Sequence, residues 1–307
     1  MIQDGVIVGI GGADTTAGID VSGRYIVPAF IDSHVHLAYL PEAAAMAEGG
    51  VAGAVDLAAP LSFLAADHAP LRLLASGPMV TAVNGYPTES WGRDGYGLEC
   101  ADTGAAVAAV DQLLAAGAGV IKLPVTSAPQ LGDEAMAAVV QRAHGHGVRV
   151  VSHALADDEA AAAAAAGVDA LAHTPTSSLS EATLGAWAGR AVVSTLDAFG
   201  GSSTAVANLR SLRTAGASVL YGTDFGNSRD AGIASAELML LMEAGLSGEE
   251  ILAAGTTGPA DYWGFDKLGR VAVGRDASFL VLDRDPRVDP LVLAEPAQVW
   301  IRGERVR

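Results

Sequence analysis

Tyr25-Ile-Val-Pro-Ala-Phe-Ile-Asp-Ser-His-Val-His36 joins an apolar run to two histidines one residue apart. In a strand, side chains at i and i+2 lie on the same face. A strand over residues 30–36 therefore aims His34 and His36 at one point and turns Val35 away. Imidazole is the commonest metal-binding side chain, and its neutral form suits zinc. The same spacing recurs at His144 and His146. That second pair ends a helical stretch before Gly147, where helix geometry sets the two rings about 200° apart. A cation is favoured at a helix C-terminus in any case, so these two read as structural.

Working outward from residue 36, short apolar runs alternate with amphipathic, Ala-rich stretches. Strands are expected at 30–36, 53–57, 72–75, 120–123, 149–153, 170–173, 191–196 and 218–222. Helical periodicity falls at 103–116, 132–146, 157–166, 181–188, 204–215 and 234–244. Gly117, Gly147, Gly167, Gly189, Gly216 and Gly245 follow these stretches at stop positions. Eight strands alternating with helices predict an α/β chain with a TIM (β/α)8 barrel over 28–264. A doubly wound sheet is the alternative, but no Gly-rich phosphate loop follows the first strand. The flanks, 1–27 and 265–307, have β character. Short strands at 6–10, 18–21 and 24–27, a turn at Gly11-Gly12, and runs at 278–282 and 298–302 predict one small β-sandwich.

The expected strand ends carry polar residues, and a barrel keeps its chemistry at that end. Lys122 lies on the fourth strand, His153 ends the fifth, His173 the sixth and Asp224 the eighth. Burying so many polar groups without partners would cost several kcal/mol by rough estimate, and a metal centre would satisfy them together. Pro28-Ala-Phe-Ile-Asp-Ser-His-Val-His36, Lys122, His153, His173 and Gly222-Thr-Asp224 together resemble the amidohydrolase superfamily of metal-dependent hydrolases. Ala29 stands where that family usually has Gly. The stretches 117–123, 143–153, 165–173 and 269–282 are similar to the prolidase-like and imidazolonepropionase-like members, so the likeness covers nearly the whole chain.

The resemblance implies a binuclear centre of two divalent ions, with zinc the expected metal. His34 and His36 would hold the buried ion, and His153 and His173 the more exposed one. Lys122 would bridge the two as a carbamate formed with carbon dioxide, and Asp224 would be both a ligand and the general base. The implied reaction is hydrolysis of an amide C–N bond by a metal-bridging hydroxide, in an N-acyl amino acid, a dipeptide or a cyclic amide. A lactonase or esterase on the same site, a mononuclear deaminase that does not need Lys122, and a metal-free barrel scaffold are the alternatives. Asp32 reads as a partner of backbone groups or of the ligands rather than a ligand. Loops after strands give substrate candidates Tyr86, Arg93, Asn227 and Arg229, with Asn84, Trp91, Thr126 and Ser127 nearby. A span of only 51 residues separates His173 from Asp224, which makes the pocket unlike that of a typical prolidase-like member.

Composition bounds the rest. The 307 residues are 50% hydrophobic and can bury a large core. A net charge of -17 disfavours nucleic acid and anionic membrane as partners, leaving a small-molecule substrate and a homo-oligomer open. One cysteine, Cys100, permits no internal disulfide, which fits a cytoplasmic setting. The first residues have neither a basic region nor a cleavage site of the signal-peptide kind.

Overall fold

The computed structural model describes residues 1–11, 18–127 and 129–307. The expected Gly11-Gly12 turn lies partly outside them. A hairpin comes first, β1 (Ile2–Gln3) and β2 (Val6–Ile7), turned at Asp4 and Gly5 with positive φ at both. Residues 18–21, expected as a strand, form none. Then β3 (Tyr25–Pro28) leads into β4 (Phe30–Val35), every residue of which is buried. The chain continues through α1 (Ala43–Glu48), β5 (Val51–Asp56), β6 (Arg72–Ala75), β7 (Met79–Ala82) and β8 (Gly97–Cys100). Helices and strands alternate next: α2 (Thr103–Ala115), β9 (Val120–Pro124), α3 (Asp133–Gly145), β10 (Arg149–His153), α4 (Asp157–Ala165) and β11 (Ala170–Leu171). They are followed by α5 (Glu181–Ala186), β12 (Ala191–Val193), α6 (Ser203–Thr214), β13 (Ser218–Leu220), α7 (Ser235–Glu243), α8 (Gly248–Gly255) and α9 (Thr257–Trp263). Three strands close the chain: β14 (Phe279–Leu282), β15 (Gln298–Ile301) and β16 (Glu304–Arg305).

The result is an α/β fold. Strands β9 to β13 form one parallel sheet in sequence order, and β4, β5 and β6 form a second. Strands β7 and β8 form a parallel pair of their own. Hydrogen bonds run between these sheets. Gly119 N donates to Ala75 O at 3.0 Å, beside β6 and β9. Ser33 N donates to Tyr221 O at 2.9 Å and His36 N to Phe225 O at 2.6 Å, tying β4 to the chain leaving β13.

Alternation sorts the strand residues. Ile121 and Val150 join the apolar cluster that includes Val110, Leu113 and Val139 of α2 and α3. Val120 and Val151 face the other way, into a smaller cluster with Val55, Ala170, Ala191 and Leu220. Lys122 and His153, each two residues further on, point to that second side. The helices start where local chemistry directs them. Asp102 caps α2 by accepting from Ala105 N at 2.8 Å, and Ser247 caps α8 in a reciprocal box with Glu250.

A third group of strands is antiparallel, in the order β16-β15-β14-β3, with Val27 opposite Leu280. The hairpin leans on the same region, where Ile7 N donates to Arg275 O at 2.9 Å and Ala277 N to Gly5 O at 2.8 Å. Arg72 reaches across from β6 to Asp276 with both Nε and a terminal nitrogen, the latter at 3.0 Å.

Candidate metal centre

His34 and His36 sit at the end of β4, buried, with their Nε2 atoms 3.2 Å apart. His34 Nδ1 lies 2.9 Å from Ala172 O, and His36 Nδ1 lies 3.4 Å from Ala58 O. A carbonyl only accepts, so both Nδ1 atoms carry the proton and donate. Both Nε2 lone pairs then face inward. Asp224 Oδ1 meets them, 3.0 Å from His36 and 3.5 Å from His34. Three acceptors aimed at one another repel unless a cation lies among them, and their ligand atoms all fall within 4.8 Å.

Protonation favours the same arrangement. Burial, then the nearby Lys122, holds His34 well below the usual imidazole range. Burial pushes the Asp224 carboxyl up, and any positive charge at His34 and His36, together with the Asn227 hydrogen bond, pulls it below the usual carboxylate range. His34 is thus neutral and Asp224 ionised at neutral pH.

The segment after β13 is what carries Asp224 there. Thr223 donates to Asp32 through its backbone N at 3.1 Å and through Oγ1 at 2.6 Å, while His34 N donates to Asp32 Oδ1 at 3.0 Å. Asp32 therefore fastens the two ligand-bearing segments to each other. Burial pushes its carboxyl up to about 7. Asp224 itself has φ of 54°, a left-handed conformation that aspartate adopts at a cost. Gly222 and Gly226 let this segment close on β4: a Cβ at Gly226 would lie 2.8 Å from His36 Cβ. Asn227 Nδ2 donates to Asp224 Oδ1 at 3.1 Å.

His173 and His153 stand beside this group. The ring of His173 is 4.5 Å from that of His34 and 4.9 Å from that of His153. Burial, then Lys122, holds His153 down to about 3, and burial keeps His173 neutral as well. Glu159 at the head of α4 accepts from Leu155 N and Ala156 N at 2.8 and 2.9 Å, fixing the chain just beyond His153. Lys122 Nζ is fully buried and has no hydrogen-bond partner. Burial pulls its ammonium down to about 7. An orphaned buried amine normally costs stability, so its retention here points to a partner of another kind.

These side chains share one cavity of about 240 Å³ with Met79, Tyr86, Trp91, Ala198, Phe199 and Asn227. Sequence reading missed Met79 and Phe199, as well as two buried acids that shape the rim. Asp56 accepts from Leu37 N at 2.7 Å, and Glu237 accepts from Leu196 N and Asp197 N at 3.1 and 2.8 Å, holding the loop that presents Phe199. Phe199 closely follows a strand end, which is the signal that could have found it; a helical Glu such as Glu237 carries no such signal. Of the expected substrate residues, Tyr86 and Asn227 line the cavity and Arg93 and Arg229 do not. Both arginines are exposed, which avoids burying an unpaired guanidinium. Arg93 instead lines a neighbouring groove with Thr88, Glu89 and Glu99. His144 is exposed and paired with Asp169 at 2.9 Å, away from the cavity, while His146 lies 4.0 Å from Asp111.

A model of the amidohydrolase family matches residues 25–306. The chain belongs to this family. This amidohydrolase is thus a metal-dependent hydrolase, and the His/Asp cluster is a site able to hold its metal. It is 28% identical over 340 aligned positions to an uncharacterized protein of Mycobacterium tuberculosis, covering 96% of this chain and 87% of that one. It is 27% identical over 302 positions to an adenine deaminase of Deinococcus deserti, covering 92% of this chain and 52% of the relative. The crystal structure of a Xaa-Pro dipeptidase with bound methionine superposes with a TM-score of 0.85 at 20% identity, over 99% of this chain and 93% of that one. Among the described residues, no helix is long and apolar enough to cross a membrane.

Proposed function

We propose that this amidohydrolase cleaves an amide C–N bond at a centre of two divalent ions, zinc by the ligand chemistry. His34, His36 and Asp224 would hold one ion and His153 and His173 the other, with Lys122 between them. One observation carries the reading: a fully buried amine, Lys122 Nζ, finds no hydrogen-bond partner among the described residues and lies beside four imidazoles and a carboxylate. A neutral amine can take up carbon dioxide with release of a proton, giving a carbamate whose oxygens would help to hold divalent ions. Bound there, the metals would polarise the substrate carbonyl and acidify a water.

The chain's own residues would do the rest. Asp224, ionised and steadied by Asn227, accepts a proton from the attacking water and returns it to the leaving nitrogen. The imidazoles, locked by Ala172 O and Ala58 O, keep their lone pairs inward throughout. Tyr86, Trp91 and Phe199 would wall the space above. An N-acyl amino acid, a dipeptide and a cyclic amide all present the bond, and a lactone offers the same carbonyl. The frame we propose for this chemistry is a (β/α)8 barrel over 28–264, with a small β-sandwich from 1–27 and 265–307. The hydrogen bonds from β6 to Gly119 and from β4 to the end of β13 support it.

A second reading has one observation in its favour. Three ligand atoms, from His34, His36 and Asp224, converge by themselves, which suits a single ion and a deaminase. Metal analysis after mild purification separates the two: two equivalents per chain support the hydrolase, and one supports the deaminase. Turnover of a panel of amides and lactones tests the reaction. Asp224→Asn is expected to lower kcat by about 10²–10⁴ while the protein stays folded. Near wild-type turnover would remove Asp224 from its role.

A further inference from the structure

The cavity's lining says what kind of amide it admits. Above the ligand cluster the walls are Met79, Tyr86, Trp91, Ala198 and Phe199. Tyr86 stacks on His153 with ring centroids 4.9 Å apart, Trp91 stands edge-on to His36 at 5.1 Å, and Phe199 stands edge-on to His173 at 4.8 Å. Trp91 Nε1 donates to Tyr86 Oη at 2.9 Å, so the two aromatic walls brace each other. All three rings are only partly buried and line the cavity. Apolar ring faces left open in a concave site are what a flat apolar ligand fills.

The charges give the complementary result. Among the described lining residues the one lysine or arginine is Lys122, fully buried within the cluster and taken up by the carbamate. Arg93 and Arg229, the nearest candidates for a carboxylate clamp, face solvent. A substrate carboxylate would find no guanidinium beside the aromatic walls, and an unpaired buried charge is expensive. Its one favourable place would be among the metal ligands, where the scissile carbonyl has to sit.

We propose that this site selects small, uncharged amides with an arene or similar flat apolar group on one side of the bond, and discriminates against N-acyl amino acids and dipeptides. Trp91 and Tyr86 are the residues that set this preference. The inference rests on the hydrolase reading above and narrows its substrate class. The volume of about 240 Å³ sets the size, since it lies below the roughly 300–1,000 Å³ of pockets for drug-sized ligands.

The test uses the metal-loaded protein and two ketones in which a methylene replaces the amide nitrogen, so that neither can be cleaved. Calorimetry compares 1-phenylpropan-2-one, the isostere of acetanilide, with 4-oxopentanoate, the isostere of N-acetylglycine. The phenyl ketone is expected to bind at least about tenfold more tightly, and Trp91→Ala to weaken it by about fivefold or more while leaving the acid unchanged. Tighter binding of the acid, or no effect of Trp91→Ala on the phenyl ketone, would overturn the proposal. Trp91→Phe is the companion variant. It keeps an aromatic wall and is expected to retain most of the binding, which separates lost contact from lost folding. Turnover of acetanilide and N-acetylglycine is measured alongside. Loss of turnover on both with the binding preference intact would sink the hydrolase reading and leave the preference standing.

Discussion

Lys122 is where chemistry and stability part company. Among the described residues its Nζ is buried without a hydrogen-bond partner, and such a group weakens the fold unless something else pairs it. Lys122→Met is therefore expected to leave chelator-treated protein as stable as the parent or more so, while lowering the metal bound per chain. Melting curves with and without chelator, together with metal analysis, check both halves. A chelator-treated variant that loses more than about 1 kcal/mol would mean that the amine is structural. His34, His36, Lys122, His153, His173 and Asp224 could all be picked from the sequence, because each is a metal-binding or titratable type at the end of an apolar run. The cavity's apolar walls could not. Met79 and Phe199 look like core residues until the fold turns them towards an opening, and nothing in a linear string marks Arg93 as facing out while Trp91, two positions earlier, faces in.

At the level of elements, the segment from Gly222 to Gly226 sets the geometry. Its approach to β4 leaves no room for a side chain at Gly226, which has φ of 114° and His36 O only 3.0 Å from a would-be Cβ. Gly226→Ala is expected to cost about 1–3 kcal/mol and to displace His36, read as a lower melting temperature together with weaker metal retention. An unchanged metal content would show that the approach is not what places His36. Glu237, in α7, carries the loop after β12. Burial pushes its carboxyl up from 4.5 to about 7, so between those values the folded chain holds a proton that the unfolded chain has lost. Stability from this group therefore falls as pH rises through that window. Glu237→Gln removes the titration, so its melting temperature relative to the parent should rise from pH 5 to pH 8. A difference that does not vary with pH would rule this out. The eight expected strands are all present, but β11, β12 and β13 are shorter than expected, with single ladder bonds running on past them, Ala172 N to Ser152 O at 2.8 Å and Thr195 N to Gly222 O at 3.1 Å. Periodicity reports where an apolar run ends, not where its hydrogen bonds do. It also passed over β7 and β8, which lie in a stretch rich in turn residues.

For the whole molecule, the join between the parallel strands and the terminal strands is decisive. Arg72 on β6 holds the buried carboxylate of Asp276 with two nitrogens. Arg72→Met would leave that carboxylate buried and unpaired, at about 1–3 kcal/mol. Denaturation curves in urea measure the loss, and Arg72→Met with Asp276→Asn should recover part of it; a double variant no better than the single one would mean that the pair is not the source. The pairing of Val27 with Leu280 has another consequence. A ribosome releases the chain from its N-terminal side onward, so β3 emerges 253 positions before the strand it must zip against, counted from Val27 to Leu280. Until β14 follows, the edge of β3 that it will cover is bare and open to chaperones, proteases or a neighbouring nascent copy. This sheet can therefore be sealed only after β14 has been made.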